Sequence, residues 1–224
     1  MIATRNIITA ASIDLVRRTR ASNAAYYVTR TAKVVKGTKP FFALDREVIA
    51  KTYIRGDGIE IGALHYPTKV SRRARVRYVD RMSVPDLRKH YPELNLLKLV
   101  HVDIVDDGER LETIGDLTQD FVIANHFIEH SQNPIGAIEN MLRVLKHGGI
   151  LYLAVPDKRY TFDIDRPVTT IEHLLQDYEQ GPQWSKRQHF EEWSRFIDKI
   201  VDRDEVEKRV TYLMNIDYSI HYHV

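Results

Sequence analysis

Three carboxylates stand where short apolar runs end. Glu60 lies inside the run Ile59–Ile61 of "RGDGIEIGALHYPTKV", which stops at Gly62. Asp80 closes "RVRYVD", 18 residues after Gly62. Asp107 follows "LKLVHVDIV" in the stretch "DDGERL". In an open parallel sheet, ligands gather beyond the carboxyl ends of the strands, so all three acids are placed to meet one. Gly62 has no Cβ and lets a ligand approach the backbone closely. The phosphate pattern G-x-G-x-x-G is absent, because Leu64 and His65 follow, and Glu60 would repel a phosphate.

The acids suit a different ligand. An acid at the end of a second strand can accept from both hydroxyls of a ribose, although Asp80 could equally cap a turn. Asp107 could accept from an adenine amino group, with Gly108 making room for the ring, although D-G is also an ordinary turn. Glu60 suits an ammonium group or hydroxyls. Together these describe a ligand with a positive charge, a ribose and an adenine but no phosphate, which is S-adenosylmethionine.

The elements that would position these residues alternate. Residues 45–54 read as a short helix leading into a strand at "GIEIGAL". "RVRYVD" (75–80) is a second strand and "VPDLRKHYPEL" (84–94) a helix or turn. Residues 97–105 and 119–125 are the third and fourth strands. "NPIGAIENMLRVLKHGG" reads as a helix stopped by Gly148 and Gly149, and "ILYLAVP" (150–156) as a fifth strand. The last two strands are almost continuously apolar, which marks strands covered on both faces. The expected fold is therefore α/β: a doubly wound, Rossmann-like, mostly parallel sheet with helices on both faces and with the last two strands missing. Two amphipathic helices follow: "TTIEHLLQDYEQG", with Ile171, Leu174, Leu175 and Tyr178 inward, and "HFEEWSRFIDKI", with Phe190, Trp193, Phe196, Ile197 and Ile200 inward. The division is a basic helical arm over 1–44, a ligand-binding core over 45–160, and a helical lid with a terminal strand over 161–224.

The chain has 224 residues, a net charge of +2 and no cysteine. Disulfides and thiolate metal sites are excluded, and the reading is a cytoplasmic protein with no membrane span. Residues 1–40 hold eight Lys/Arg against Asp14 alone. That arm resembles a transit peptide and equally suits a solvated basic helix. The overall charge gives no ground for specific nucleic-acid binding.

"EIGAL", "YVD", "DDGERL", "DFVIANHFIEH" and "RVLKHGGILYLAVP" resemble, in order and spacing, the class I S-adenosylmethionine-dependent methyltransferases, most nearly the type 11 branch. The resemblance covers about residues 58–157. It implies S-adenosylmethionine as cofactor, bound by Glu60, Gly62, Ala63, Asp80, Asp107, Gly108 and Asn125, with Asp103 or Asp106 as substitutes for Asp107. Ala63 and Leu64 depart from the family's second glycine. Asn125 and His126 fall where the family meets the methionine end and faces substrate. "IGALHYP", "YVDR" and "VPDKRYTFD" also resemble a subgroup found near bacterial surface-glycan genes, which implies a glycan or small-molecule acceptor. Methyl transfer needs no metal, and the candidate general bases, in falling order, are His126, Asp157 and His221. A non-catalytic binding or interaction module is the alternative class.

Two motifs compete. "HFIEH" (126–130) spells H-x-x-E-H, which on a long helix would share a zinc between two histidines. Here the first histidine follows directly on an apolar strand and Asn133-Pro134 ends the segment, so His130 reads as structural. "HYH" (221–223) alternates like a strand and reads as an ordinary strand pair rather than a metal pair. Finally, "ILYLAVP" would be a bare sheet edge, to be covered by residues 211–224, by the helices at 169–200, or by a second copy in a homodimer.

Overall fold

The computed structural model describes residues 46–224. The basic arm, with its transit-peptide and helix readings, lies outside the described residues. The core is a five-stranded, wholly parallel sheet of order β3-β2-β1-β4-β5. The strands are β1 (Gly56–Ile61), β2 (Ala74–Asp80), β3 (Ile104–Val105), β4 (Gln119–Asn125) and β5 (Leu145–Ala154). Helix α1 (Arg46–Tyr53) precedes β1, α2 (Val84–His90) follows β2, and α3 (Pro134–Val144) links β4 to β5.

The continuous apolarity of β4 has the expected cause. Val122 and Ala124 face one core with Ile59, Ile61, Met141 and Val144. Phe121 and Ile123 face the other, with Ala50, Ile54 and Tyr152. Successive side chains point to opposite faces, and a helix covers each. Glu60 pairs with Ile123 in register and therefore points to the α1 side.

Beyond β5 the chain is helical: α4 (Ile171–Gln180), α5 (Gln183–Phe196) and α6 (Arg203–Asn215). Thr170 caps α4 by accepting from His173 N, and Gly181 ends it at φ 82°. A third apolar cluster joins Phe190 of α5 and Val206, Val210 and Leu213 of α6 to Ile220 and Tyr222.

Four expectations are corrected. The helix read through to Gly149 stops at Val144, because Leu117 N and Thr118 N take the carbonyls of Arg143 and Val144. Residues 145–149 then form an irregular start to β5, whose register jumps from Gln119↔Leu145 to Phe121↔Ile150. The third strand shrinks to two residues: Val100 N is taken by Leu64 O, and Tyr78 N is taken by the Asp103 side chain rather than by a backbone carbonyl. In α4, Ile171, Leu175 and Tyr178 are exposed and Asp177 is fully buried. The face that packs inward is thus the polar one. The tail is not a strand beside β5. It runs against the turn after β4 and the start of α4, with Tyr222 N donating to Glu129 O at 2.7 Å and Thr169 N to Val224 O at 2.7 Å.

Candidate functional site

A cleft of about 950 Å³ opens at the carboxyl ends of β1 and β4. Glu60, Gly62, Ala63, Asn125 and His126 line it, together with the loop Leu64–Lys69 and with Arg46 and His130. Gly62 is at φ 64°, and a Cβ there would meet nothing within 4 Å. Leu64 at φ 48° and His126 at φ 52° also take left-handed backbone. Such backbone is strained for residues with side chains and concentrates at functional sites. No sequence pattern announced these two.

One residue ties the walls together. Thr68 N donates to both oxygens of Glu60 at 3.0 and 3.1 Å, and Thr68 Oγ1 donates to Glu60 Oε1 at 2.6 Å. Asn125 Nδ2 donates to the same hydroxyl at 2.7 Å. Glu60 is therefore a loop anchor as well as a cleft residue. Burial pushes its carboxyl above the usual range, while the Thr68 bonds pull it back. Asn125 Oδ1 is buried and has no hydrogen-bond partner. Thr68 was not picked out in the sequence. The signal was there as an acid two residues before the glycine and a Thr eight positions after that acid, the reach of a tight loop.

His126 sits on the rim with over half its side chain exposed. Arg46 Nη1 lies 3.1 Å from Nε2 and can only donate. Nε2 is thus the acceptor and Nδ1 carries the proton, donated to Glu129 Oε1 at 3.2 Å. Burial first, then the charges of Arg46 and His221, hold the imidazole below its usual range, hence neutral at pH 7. Burial, assisted by Asp163, pushes Glu129 up to about 7. His130 is pushed down to about 4 by burial and by His221.

The other sequence candidates lie apart from the cleft lining. Asp80 ends β2 on the same side of the sheet, half-buried, with the N–H groups of Arg81 and Met82 pointing at it; burial nonetheless raises its carboxyl. Asp107 is exposed, accepts from Glu109 N at 2.9 Å and lies 3.6 Å from Arg110. Gly108 is required by packing: a Cβ there would come within 2.6 Å of Ile61 and 2.8 Å of Phe127. Asp103, exposed, accepts from Tyr78 N, and buried Asp106 from Thr113 N and Oγ1, so both substitutes already hold backbone in place. Asp157 grips Arg159 through both oxygens, at 2.9 and 2.6 Å. His221 is buried and its Nδ1 donates to Asp163 Oδ2 at 2.7 Å. "HFIEH" is a strand end followed by one 3₁₀ turn, Ile128–His130. His126 and His130 do not share a helix face, and His130 Nδ1 is taken by Ile220 O at 2.9 Å.

A family model described as "Methyltransferase domain" matches residues 38–209, well over half of the chain. The chain belongs to the methyltransferase-domain family. Curated proteins returned no match to this methyltransferase-domain chain. Among solved structures, the trans-methyltransferase CalH in complex with SAH is 15% identical at a TM-score of 0.33, covering 50% of this chain and 36% of that one. A SAM-dependent methyltransferase from Aquifex aeolicus is 15% identical at 0.31, covering 46% and 58%. A Methanococcus maripaludis protein named as a candidate S-adenosyl-L-methionine-dependent methyltransferase is 17% identical at 0.35, covering 77% and 74%. The alignments with the first two thus span well under two thirds of those chains. Overlays this loose assign nothing to individual residues.

The cleft of this methyltransferase domain itself tests the cofactor. An ammonium group needs buried acceptors, and Asn125 Oδ1 is one without a partner, beside the Glu60 carboxylate. The sulfonium end needs backbone that can be approached, and Gly62 offers it. Asp80 ends β2 outside the lining of this cleft. The residues present fit S-adenosylmethionine. Among the described residues, no helix is long and apolar enough to cross a membrane.

Proposed function

We propose that this protein transfers the methyl group of S-adenosylmethionine to a hydroxyl of a glycan or small molecule presented at His126. The reading rests above all on Asn125 Oδ1, an acceptor buried without a partner at the wall of an otherwise formed cleft. S-adenosylmethionine supplies an electrophilic methyl on sulfur. The chain supplies alignment, the larger part of such a reaction. The Glu60–Thr68–Asn125 network fixes the loop, Asn125 and Glu60 hold the amino end, Asp80 takes the ribose hydroxyls, and Asp107 is the acceptor on the adenine side. His126 is the base. Its Nε2 lone pair is free to take a proton once Arg46 moves off it, and Glu129 steadies the proton left on Nδ1. The exposed rim at His126 leaves room for a bulky acceptor such as a sugar.

The test is calorimetry of S-adenosylhomocysteine on the wild type and on Asn125→Ala, followed by tritiated methyl transfer to a panel of hydroxylated acceptors. Binding lost or much weakened in Asn125→Ala, and transfer that drops in His126→Ala with binding kept, is the expected pattern. A folded wild-type protein that binds neither S-adenosylmethionine nor S-adenosylhomocysteine would overturn the reading.

A further inference from the structure

Four ligand-type side chains converge between the lid helices and the tail, away from the cleft. His173 and Asp177 stand four residues apart on α4 and so share one face. His189 comes from α5 and His223 from the tail. One ligand atom from each falls within 4.8 Å of all the others. His173 Nε2 is 3.1 Å from His189 Nε2 and 3.2 Å from Asp177 Oδ2, and His223 Nε2 is 3.6 Å from Asp177 Oδ2. Metal bonds of about 2.0–2.1 Å in a tetrahedron put neighbouring ligand atoms about 3.3–3.4 Å apart. The spacings bracket that edge.

The polar chemistry is unsatisfied without a cation. Asp177 is fully buried, and its Oδ2 accepts no hydrogen bond. A buried carboxylate oxygen left bare is costly. Its other oxygen is held by Ser185 Oγ at 2.7 Å, which aims the bare one at the histidines. This is the outer-shell bond that commonly orients a metal-ligating carboxylate. His189 and His223 are also buried. Two imidazole nitrogens at 3.1 Å repel unless one carries a proton, and that proton satisfies only one of the converging lone pairs. His223 Nε2 can donate to Gln132 O at 3.3 Å, and its buried Nδ1 then keeps a lone pair with no hydrogen-bond partner.

We propose that His173, Asp177, His189 and His223 bind one divalent transition-metal ion, zinc by ligand type, in a closed structural site. Three imidazoles and one carboxylate without thiolate suit Zn²⁺, and four protein ligands leave no open position for catalysis. The ion clasps the tail to α4 and α5. The tail in turn carries Ile220 O to His130 and Tyr222 N to Glu129 O, so the clasp braces the turn beside His126 without entering the cleft. Residues 221–223 form no strand, so "HYH" is not the strand pair expected, and His221 and His223 belong to separate clusters.

The test uses the whole chain, stripped with chelator and titrated with zinc and with cobalt. One zinc per chain by mass spectrometry of the dialysed protein is expected, along with the intense visible bands of four-coordinate Co²⁺ and a higher melting temperature with zinc. His173→Gln, at the least buried ligand, and the isosteric Asp177→Asn should abolish stoichiometric zinc and the cobalt bands. Ser185→Ala should weaken zinc about 10–100-fold. His126→Ala and His130→Gln should keep it, which separates this site from "HFIEH" and from the Glu129–His130–His221 group. A wild-type protein that takes up no stoichiometric zinc, six-coordinate cobalt, or a zinc that survives His173→Gln overturns the proposal. If the ligand variants unfold, the wild-type cobalt spectrum decides.

Discussion

Replacing Glu129 by Gln should change how stability depends on pH. Glu129 is almost fully buried, its Oε2 has no hydrogen-bond partner, and its Oε1 lies 3.2 Å from His126 Nδ1. The charged groups around it are His126, His130, His221 and Asp163. Burial lifts its carboxyl from 4.5 to about 7. The native state therefore holds a proton that the unfolded chain has released. The stabilisation from this group is complete below about pH 4.5 and is lost as pH rises through about 7. A shift of that size corresponds to about 3 kcal/mol. Urea unfolding of the two proteins at half-unit steps from pH 4.5 to 8.5 measures it. Wild type should lose about 3 kcal/mol relative to Glu129→Gln across that window, at unchanged m-value. Parallel profiles would refute the buried neutral carboxyl and, with it, any strengthening of His126 as a base above pH 7.

Asp80→Ala should weaken S-adenosylhomocysteine binding by about 1.5–3 kcal/mol, as expected for a charge-assisted hydrogen bond; unchanged calorimetric affinity in a folded variant would remove Asp80 from the site. Thr68→Val keeps volume but strips the hydroxyl from both Glu60 and Asn125, so affinity for the same ligand should fall about tenfold or more and stability should drop by about 1–3 kcal/mol in urea melts. Arg166 is fully buried and donates to Asp163, Glu192 and His221 O at 2.8–2.9 Å. Arg166→Ala removes the guanidinium from buried Asp163 and leaves it to His221 and Thr161; it should cost about 3–5 kcal/mol in urea melts, whereas Arg166→Met combined with Asp163→Leu should recover most of it.

What was legible in the sequence was what period and punctuation encode. The apolar runs at 121–124 and 150–153 announced strands buried on two faces, and Gly62 and Asn125 announced the strand ends where the cleft lies. Two kinds of information were not legible. One is the competition for backbone groups: Arg143 and Val144 are followed by good helix formers, yet their carbonyls are claimed by Leu117 and Thr118, so the helix ends early. The other is burial of polar faces. Ile171, Leu175 and Tyr178 look like the inward side of α4, but His173 and Asp177 turn inward because partners for them arrive from α5 and the tail. Helix α6 was missed as well. Its start is marked by Asp202, which accepts from Glu205 N, but its charged surface hides the narrow stripe of Val206, Val210 and Leu213.

The return of the tail to Glu129 and His130 has a consequence for the order of assembly. His130 and Ile220 are 90 residues apart. The parallel sheet draws its pairings from residues 56–154, all of which leave the ribosome earlier. Closing so long a loop adds only a logarithmic entropy cost, but the contact cannot form until its distant half exists. A nascent chain can therefore complete its sheet while the turn beside His126 still lacks its brace. The methyl transfer proposed at that turn would then be among the last properties the molecule acquires, and among the first to go when the tail loosens.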